Sequence, residues 1–235
     1  MKRAGLVGGI AWPSTLAYYE LINREVQARL GGVHSARLSI DSLDFGEVLA
    51  AMEAGQPQVA AALMADAARR LRAGGAELVA ILANTGHFAA DQVQQAAGVP
   101  LVHIVHASAA GMRAANPASR RIGLAGTSRS LRGDFFTGVF EQHGFEPVLP
   151  GADDMQQLDA LIYGELAASK AGAAAAATFA AIAARMAQRG AEAIVLGCTE
   201  LRELLPLDAA AVSVPLFDSA ALHARAIVDA MLAPD

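Results

Sequence analysis

The single cysteine of the chain, Cys198, ends an apolar run and is followed at once by Thr199 and Glu200. A thiol at a strand-to-helix turn meets backbone N–H groups that favour its thiolate, which lowers a cysteine pKa from about 8.5 toward neutrality. Cys198 is therefore read as a reactive thiol; the plain alternative is a structural cysteine buried in an apolar stretch. One cysteine allows neither an internal disulfide nor a cysteine-based zinc site. Small polar residues cluster at two further turns, Asn84-Thr85 and Gly126-Thr127-Ser128-Arg129-Ser130. Together with Thr199, their side-chain and backbone donors suit an anion such as a carboxylate, although Ser, Thr and Asn also stand at such places simply to cap helices. His103 and His106 lie three apart with no carboxylate or third histidine at a supporting spacing, so no metal is expected. The turn Gly8-Gly9-Ile10-Ala11-Trp12-Pro13 has neither the dinucleotide fingerprint nor the P-loop spacing, and no nucleotide cofactor is expected.

The elements that must hold these residues follow a βα rhythm, with short apolar runs bounded by Gly or Pro alternating with longer Ala/Leu-rich stretches at helical spacing. Strands are predicted over residues 3–7, 36–43, 77–82, 99–105, 121–125 and 193–197, and helices over 14–30, 58–73, 134–143 and 172–188. The chain also resembles itself. Gly75-Ala76-Glu77 returns as Gly190-Ala191-Glu192 and Pro100-Leu101 as Pro215-Leu216, both at an offset of 115, while Gly5-Leu6 and Gly8 return as Gly123-Leu124 and Gly126 at 118. The expected fold is thus α/β, two lobes of similar plan, each a mostly parallel sheet flanked by helices. The first lobe is read as residues 1–98 plus 209–235 and the second as 99–208. Ligands of open α/β sheets sit beyond the carboxyl ends of the strands. The turns 83–85 and 198–200, equivalent at the 115 offset, are accordingly expected to face one another across a cleft.

Composition narrows the function classes. Of 235 residues 54% are hydrophobic, which excludes a disordered chain, and the net charge of −5 without basic blocks offers no footprint for a phosphate backbone. Nucleic acid is not an expected partner. The N-terminus, with a short glycine-broken apolar run, reads as a buried strand rather than a signal peptide. The longest weakly polar run, residues 171–184, is shorter than the ~20 residues that span a bilayer. A cytoplasmic protein without a membrane partner is the expectation.

These segments resemble the cofactor-independent aspartate/glutamate racemase superfamily. The matching residues are Gly5-Leu6-Val7-Gly8-Gly9 with Trp12 and Ser14-Thr15, Gly32-Val33-His34-Ser35-Ala36, and Ser42-Leu43-Asp44-Phe45. Asn84-Thr85 with His87, Gly126-Thr127, Gly197-Cys198-Thr199-Glu200, and Phe217-Asp218 with His223 complete the set, which runs the length of the chain. The resemblance implies two Rossmann-like lobes related by a pseudo-twofold, a homodimer, no cofactor, and a small amino acid or dicarboxylate as ligand. It implies one cysteine on each face of the substrate α-carbon, one removing a proton and the other returning one. It also implies that Trp12, Asn84, Thr85, Thr127, Ser130 and Thr199 bind the substrate, with Ser130 where the family often has threonine.

The sequence departs from the family at the position that matters most. Ala83 stands where the first-half cysteine is expected, and a methyl group cannot transfer a proton. Gly86 replaces a larger apolar residue, and Gly164 follows Tyr163 where glutamate is common. Three readings result. In the first, an aspartate/glutamate-type isomerase works from Cys198, with a water, Thr85 or His87 covering the other face, and its activity is weak, one-sided or absent. In the second, a single-cysteine decarboxylase protonates the carbanion of a malonate-like acid, its cleft widened by Ala83 and Gly86. In the third, the scaffold binds a carboxylate without turnover.

Overall fold

A computed structural model describes residues 1–166, 172–204 and 212–234 of the chain. The chain divides into two compact units, residues 1–104 with 220–235, and residues 105–219. In the first unit, β1 (Ala4–Gly8), β2 (Leu38–Ser42), β3 (Leu78–Ile81) and β4 (Leu101–Val102) form a parallel sheet in the order β2-β1-β3-β4. The central strands AGLVG and LVAI are buried on both faces, which is why they read as unbroken apolar runs. Alternate residues serve opposite layers. Val7, Val79 and Ile81 pack with Met64 and Leu71 of α3 (Pro57–Ala73). Ala4, Leu6, Leu78 and Ala80 pack with Tyr18 and Ile22 of α1 (Trp12–Leu30) and with Ile227 and Met231 of α10 (Ser219–Leu232). Helices thus cover both faces of the sheet, the layering that βα rhythm leads to.

The second unit repeats the plan. Its strands β5 (Arg121–Ala125), β6 (Glu146–Val148), β7 (Ala193–Leu196) and β8 (Leu216–Asp218) are parallel in the order β6-β5-β7-β8. One face of its sheet is covered by α8 (Ala152–Ala160) and α9 (Ala173–Gln188), through Leu158, Phe179, Ile182 and Met186. The self-similarity has a structural counterpart in the strand pairing. Ala4 pairs with Leu78 and Ile122 with Ala193; Val79 pairs with Leu101 and Ile194 with Leu216. The offsets of 118 for the first strand and 115 for the third and fourth are therefore offsets of register, and the expected fold class is the one found.

Several sequence expectations change. The strand over 99–105 shrinks to Leu101–Val102, because the Ile104 N–H donates to His87 Nε2 at 3.1 Å and leaves the ladder to open α5 (Ile104–Ala115). The helix over 134–143 begins only at Thr137, after a turn in which Phe136 N–H bonds to the Gly133 carbonyl; it is α7 (Thr137–Gln142). α2 (Phe45–Glu53), α4 (Ala90–Ala97) and the single turn α6 (Ser128–Leu131) complete the helices named here. β4 pairs with β3 in the first unit and β8 with β7 in the second. The expected break between 208 and 209 lies outside the described residues. Among the described residues no helix is long and apolar enough to cross a membrane.

Candidate active site

In the first unit, β3 runs out into Leu82, whose N–H bonds to the Val7 carbonyl at 3.0 Å, and then into Ala83 and Asn84 ahead of the 3-10 helix Thr85–Ala89. Ala83 is 8% exposed and its methyl group belongs to the core with Ile10 and Ile81. Gly86 does not widen this turn. A Cβ there would stand 2.7 Å from Ile81 Cγ2 and 3.2 Å from Ile10 Cδ1, so the missing side chain is taken up by packing. Asn84 is buried and Thr85 partly exposed. Trp12 opens α1 with 67% exposure, after a turn in which Gly9 and Ala11 both have positive φ. Positive φ costs Gly9 little but strains Ala11, a cost met elsewhere mainly at functional turns.

His87 does not serve as the second acid or base. Its Nδ1–H donates to the Ala83 carbonyl at 2.8 Å and its Nε2 accepts from Ile104, so both ring nitrogens are committed and the ring is neutral. Burial holds its pKa well below the histidine range, with the neighbouring His103 and His223 pushing the same way. What His87 does is hold the carbonyl of the turn that carries Ala83 and Asn84. His223 is locked in the same manner. It donates from Nε2 to the Val102 carbonyl and accepts from the Tyr18 hydroxyl, both at 2.8 Å, and burial brings its pKa down to about 4.

In the second unit, β7 ends at Leu196 and Gly197 follows, its N–H bonded to the Ala125 carbonyl. Gly197 has to be glycine on steric grounds: a Cβ would come 2.7 Å from Phe136 Cζ and 3.2 Å from that carbonyl oxygen. The backbone then delivers Cys198, half-buried, to the start of the 3-10 helix Thr199–Leu204. Cys198 Sγ donates to Glu200 Oε2 at 2.8 Å, and Thr199 Oγ1 donates to the same oxygen at 3.0 Å. The expected lowering of the thiol pKa is overturned. Burial pushes it well above the ordinary range, and the Glu200 carboxylate adds to the rise; the Glu200 N–H points the expected way but is outweighed. Six residues of 3-10 helix supply little dipole, and a carboxylate of the chain itself occupies the place of the expected anion.

The β5 turn completes this half. Thr127 is the N-cap of α6, accepting from Ser130 N–H at 3.4 Å, and its hydroxyl lies 3.2 Å from Ser130 Oγ; both residues are buried. The capping role weighed from the sequence is thus present. Ser128 N–H donates to Asp159 Oδ1 at 2.9 Å, so this turn also answers to a carboxylate of the chain. Sequence reasoning missed Asp159 and Tyr163. α8 passes directly into a π-helical turn, Leu161–Glu165, of a kind often found at functional sites. It carries Tyr163, hydrogen-bonded to the Thr127 side chain and electrically coupled to Cys198, Asp159 and Arg129. The available signal was the four-residue spacing of Asp159 and Tyr163 at the end of a helix. Cys198, Thr199, Thr127 and Ser130 thus lie in one unit, and Ala83, Asn84, Thr85 and Trp12 in the other.

Comparison with known proteins follows the same lines. The sequence model of the Asp/Glu/hydantoin racemase family matches residues 7–227. A Yersinia pestis structure with the provisional name Asp/Glu racemase is 36% identical, with TM-score 0.91 over 99% of this chain and 100% of that one. An aspartate racemase homologue from Pyrococcus horikoshii OT3 is 31% identical, with TM-score 0.83 over 98% of this chain and 99% of the other. The aspartate racemase of Picrophilus torridus, at 18% identity and TM-score 0.75 over 98% and 94% of the two chains, shares the fold.

Proposed function

Since the chain belongs to the Asp/Glu/hydantoin racemase family, we propose that it is an isomerase-type enzyme acting on a small aspartate- or glutamate-like amino acid, with Cys198 transferring the α-proton and no cofactor. The observation that carries this reading is the acidic setting of the thiol. Glu200 accepts directly from Sγ, and Asp159 acts on it from α8. An amino acid can turn its ammonium group toward these carboxylates, while the hydroxyls of Thr127 and Thr199 in the same unit, with Ser130 supporting Thr127, offer donors to its own carboxylate; Asn84 and Thr85 are assigned to the substrate on the family resemblance. Like charges about 4 Å apart near a protein surface cost about 4 kcal/mol, so a malonate-type dianion, which has no ammonium to offer, is disfavoured at the same place.

One observation favours a second reading. Ala83 cannot exchange a proton, and decarboxylation of a malonate-like acid needs only one protonation, which Cys198 alone can supply. The packing of Gly86 removes part of the extra room that a bulky malonate would have used. Proton NMR of L- and D-aspartate and L- and D-glutamate in deuterated buffer, with Cys198→Ala as control, separates the readings. Loss of the α-proton signal that depends on Cys198 is the expected result. No exchange with any of the four, together with release of carbon dioxide from an arylmalonate, would replace the isomerase by the decarboxylase.

The proposal extends to a cytoplasmic homodimer. α1 leaves Trp12, Leu16 and Tyr19 exposed at a spacing that lines one face of the helix, and an aromatic and aliphatic stripe of this sort suits a second copy. Sedimentation velocity should show a dimer that Leu16→Asp converts to monomer; a wild-type monomer at micromolar concentration would remove the dimer from the proposal.

A further inference from the structure

The contact between Cys198 and Glu200 says more than that the thiol has a neighbour. Glu200 Oε2 receives two donors, the thiol at 2.8 Å and the Thr199 hydroxyl at 3.0 Å. The thiol and a hydroxyl thus share one carboxylate oxygen as their acceptor, and the sulfur keeps its proton directed at that oxygen. We propose that Glu200 is the proton partner of Cys198, holding the sulfur as S–H at rest and taking or returning that proton during turnover. The inference rests on the reading of Cys198 as the proton-transfer group.

The proton balance makes the pair directional. When Cys198 acts as donor, its S–H bond breaks and a C–H bond forms at a carbanionic carbon, leaving a thiolate that is reprotonated from water through the carboxyl group of Glu200. When it acts as acceptor, the thiol proton first passes to Glu200. The thiolate then takes the α-proton of the substrate, the C–H electron pair stays on carbon, and the extra proton leaves Glu200 for water. Donation starts from the resting state, whereas abstraction needs a prior transfer. Cys198 is in this sense the acid side of the site.

The surrounding charges are consistent with this assignment. Asp159 on α8 raises the cost of a thiolate, as does burial. Tyr163 on the π turn is coupled to the thiol and to Arg129 of α6. Glu203, on the same 3-10 helix as Glu200, is itself held above the carboxylate range by burial and by Glu200, with Arg202 opposing. Of these groups, only Glu200 is both a charge and a hydrogen-bond acceptor for the sulfur.

The test needs no substrate, because the chain has one cysteine and alkylation by iodoacetamide reports its thiolate alone. Alkylation rate against pH should give a midpoint above the ordinary thiol value in the wild type. Glu200→Gln should bring the midpoint down by about 1–3 pH units, the usual reach of a charge within a few ångströms. Glu200→Asp, with a shorter carboxylate, should fall between them and stands in if the glutamine variant fails to fold by circular dichroism. Asp159→Asn should move the midpoint less. An unchanged midpoint in Glu200→Gln, or an equal shift in Asp159→Asn, overturns the assignment. A shifted midpoint in a protein that exchanges no α-proton would keep the pair and overturn the isomerase.

Discussion

Ala83 and Cys198 hold the same place in two sheets of the same register: each is the second residue past the end of a third strand, β3 or β7, paired alike to the first. One place carries a methyl group packed into a core, the other a half-buried thiol bonded to a carboxylate. The repeat thus kept its backbone while its two turns took different chemistry.

The family resemblance implies that a thiol at the first turn would act on the same substrate as Cys198, and Ala83→Cys tests that implication. Ala83→Cys adds one sulfur at a position 8% exposed, for a packing cost of about 1–3 kcal/mol. A positioned acid or base contributes about 10²–10⁴-fold, and inversion of aspartate or glutamate, followed by chiral chromatography, should rise by that order over wild type. If Ala83→Cys folds and inverts no faster, the two turns do not share a substrate.

Gly197→Ala should damage stability and proton transfer together. The added methyl would have to fit 2.7 Å from Phe136 and 3.2 Å from the Ala125 carbonyl, one residue before the thiol. Overpacking of this kind costs about 1–3 kcal/mol, which in a chain of this size lowers Tm by roughly 2–4 °C per kcal/mol. Calorimetry showing an unchanged Tm would mean that Phe136 yields freely and that the close approach does not position Cys198.

The neutral histidines make the fold sensitive to acid. Above about pH 6.5 His223 is neutral in both folded and unfolded chains. As pH falls from there to about 4, the unfolded chain takes up a proton that the folded one refuses, so stability drops, by about 3 kcal/mol for His223, and levels off below. His87 acts in the same direction. In His223→Gln, the amide oxygen can accept from Tyr18 and the amide N–H can donate to Val102, so both bonds survive without a titrating group. Urea midpoints measured from pH 7 to 4 should fall less steeply in this variant; parallel curves would show that His223 is not the titrating group.

What the residues determined by themselves is whatever local chemistry and period settle. The short apolar runs of β1, β3 and β7, bounded by turn residues, read as strands buried on both faces. The repeat offsets already held the pairing register, since strands with the same neighbours keep the same spacing. Cys198, Asn84, Thr85, Thr127 and Thr199 stood out as candidates because each follows an apolar run at a turn, a place that helix capping also favours, as it does for Thr127. Tertiary structure decided what those residues touch. Whether Cys198 is a thiolate or a thiol depends on where the Glu200 and Asp159 carboxylates come to rest and on how much water is displaced, and electrostatic energy falls with distance in space, not along the chain. His87 looked like a spare base until the Ile104 amide and the Ala83 carbonyl took both its nitrogens. Gly86 looked like room until Ile81 and Ile10 filled it. Side-chain type is written in the sequence, but protonation and free space are properties of neighbours that only folding brings together.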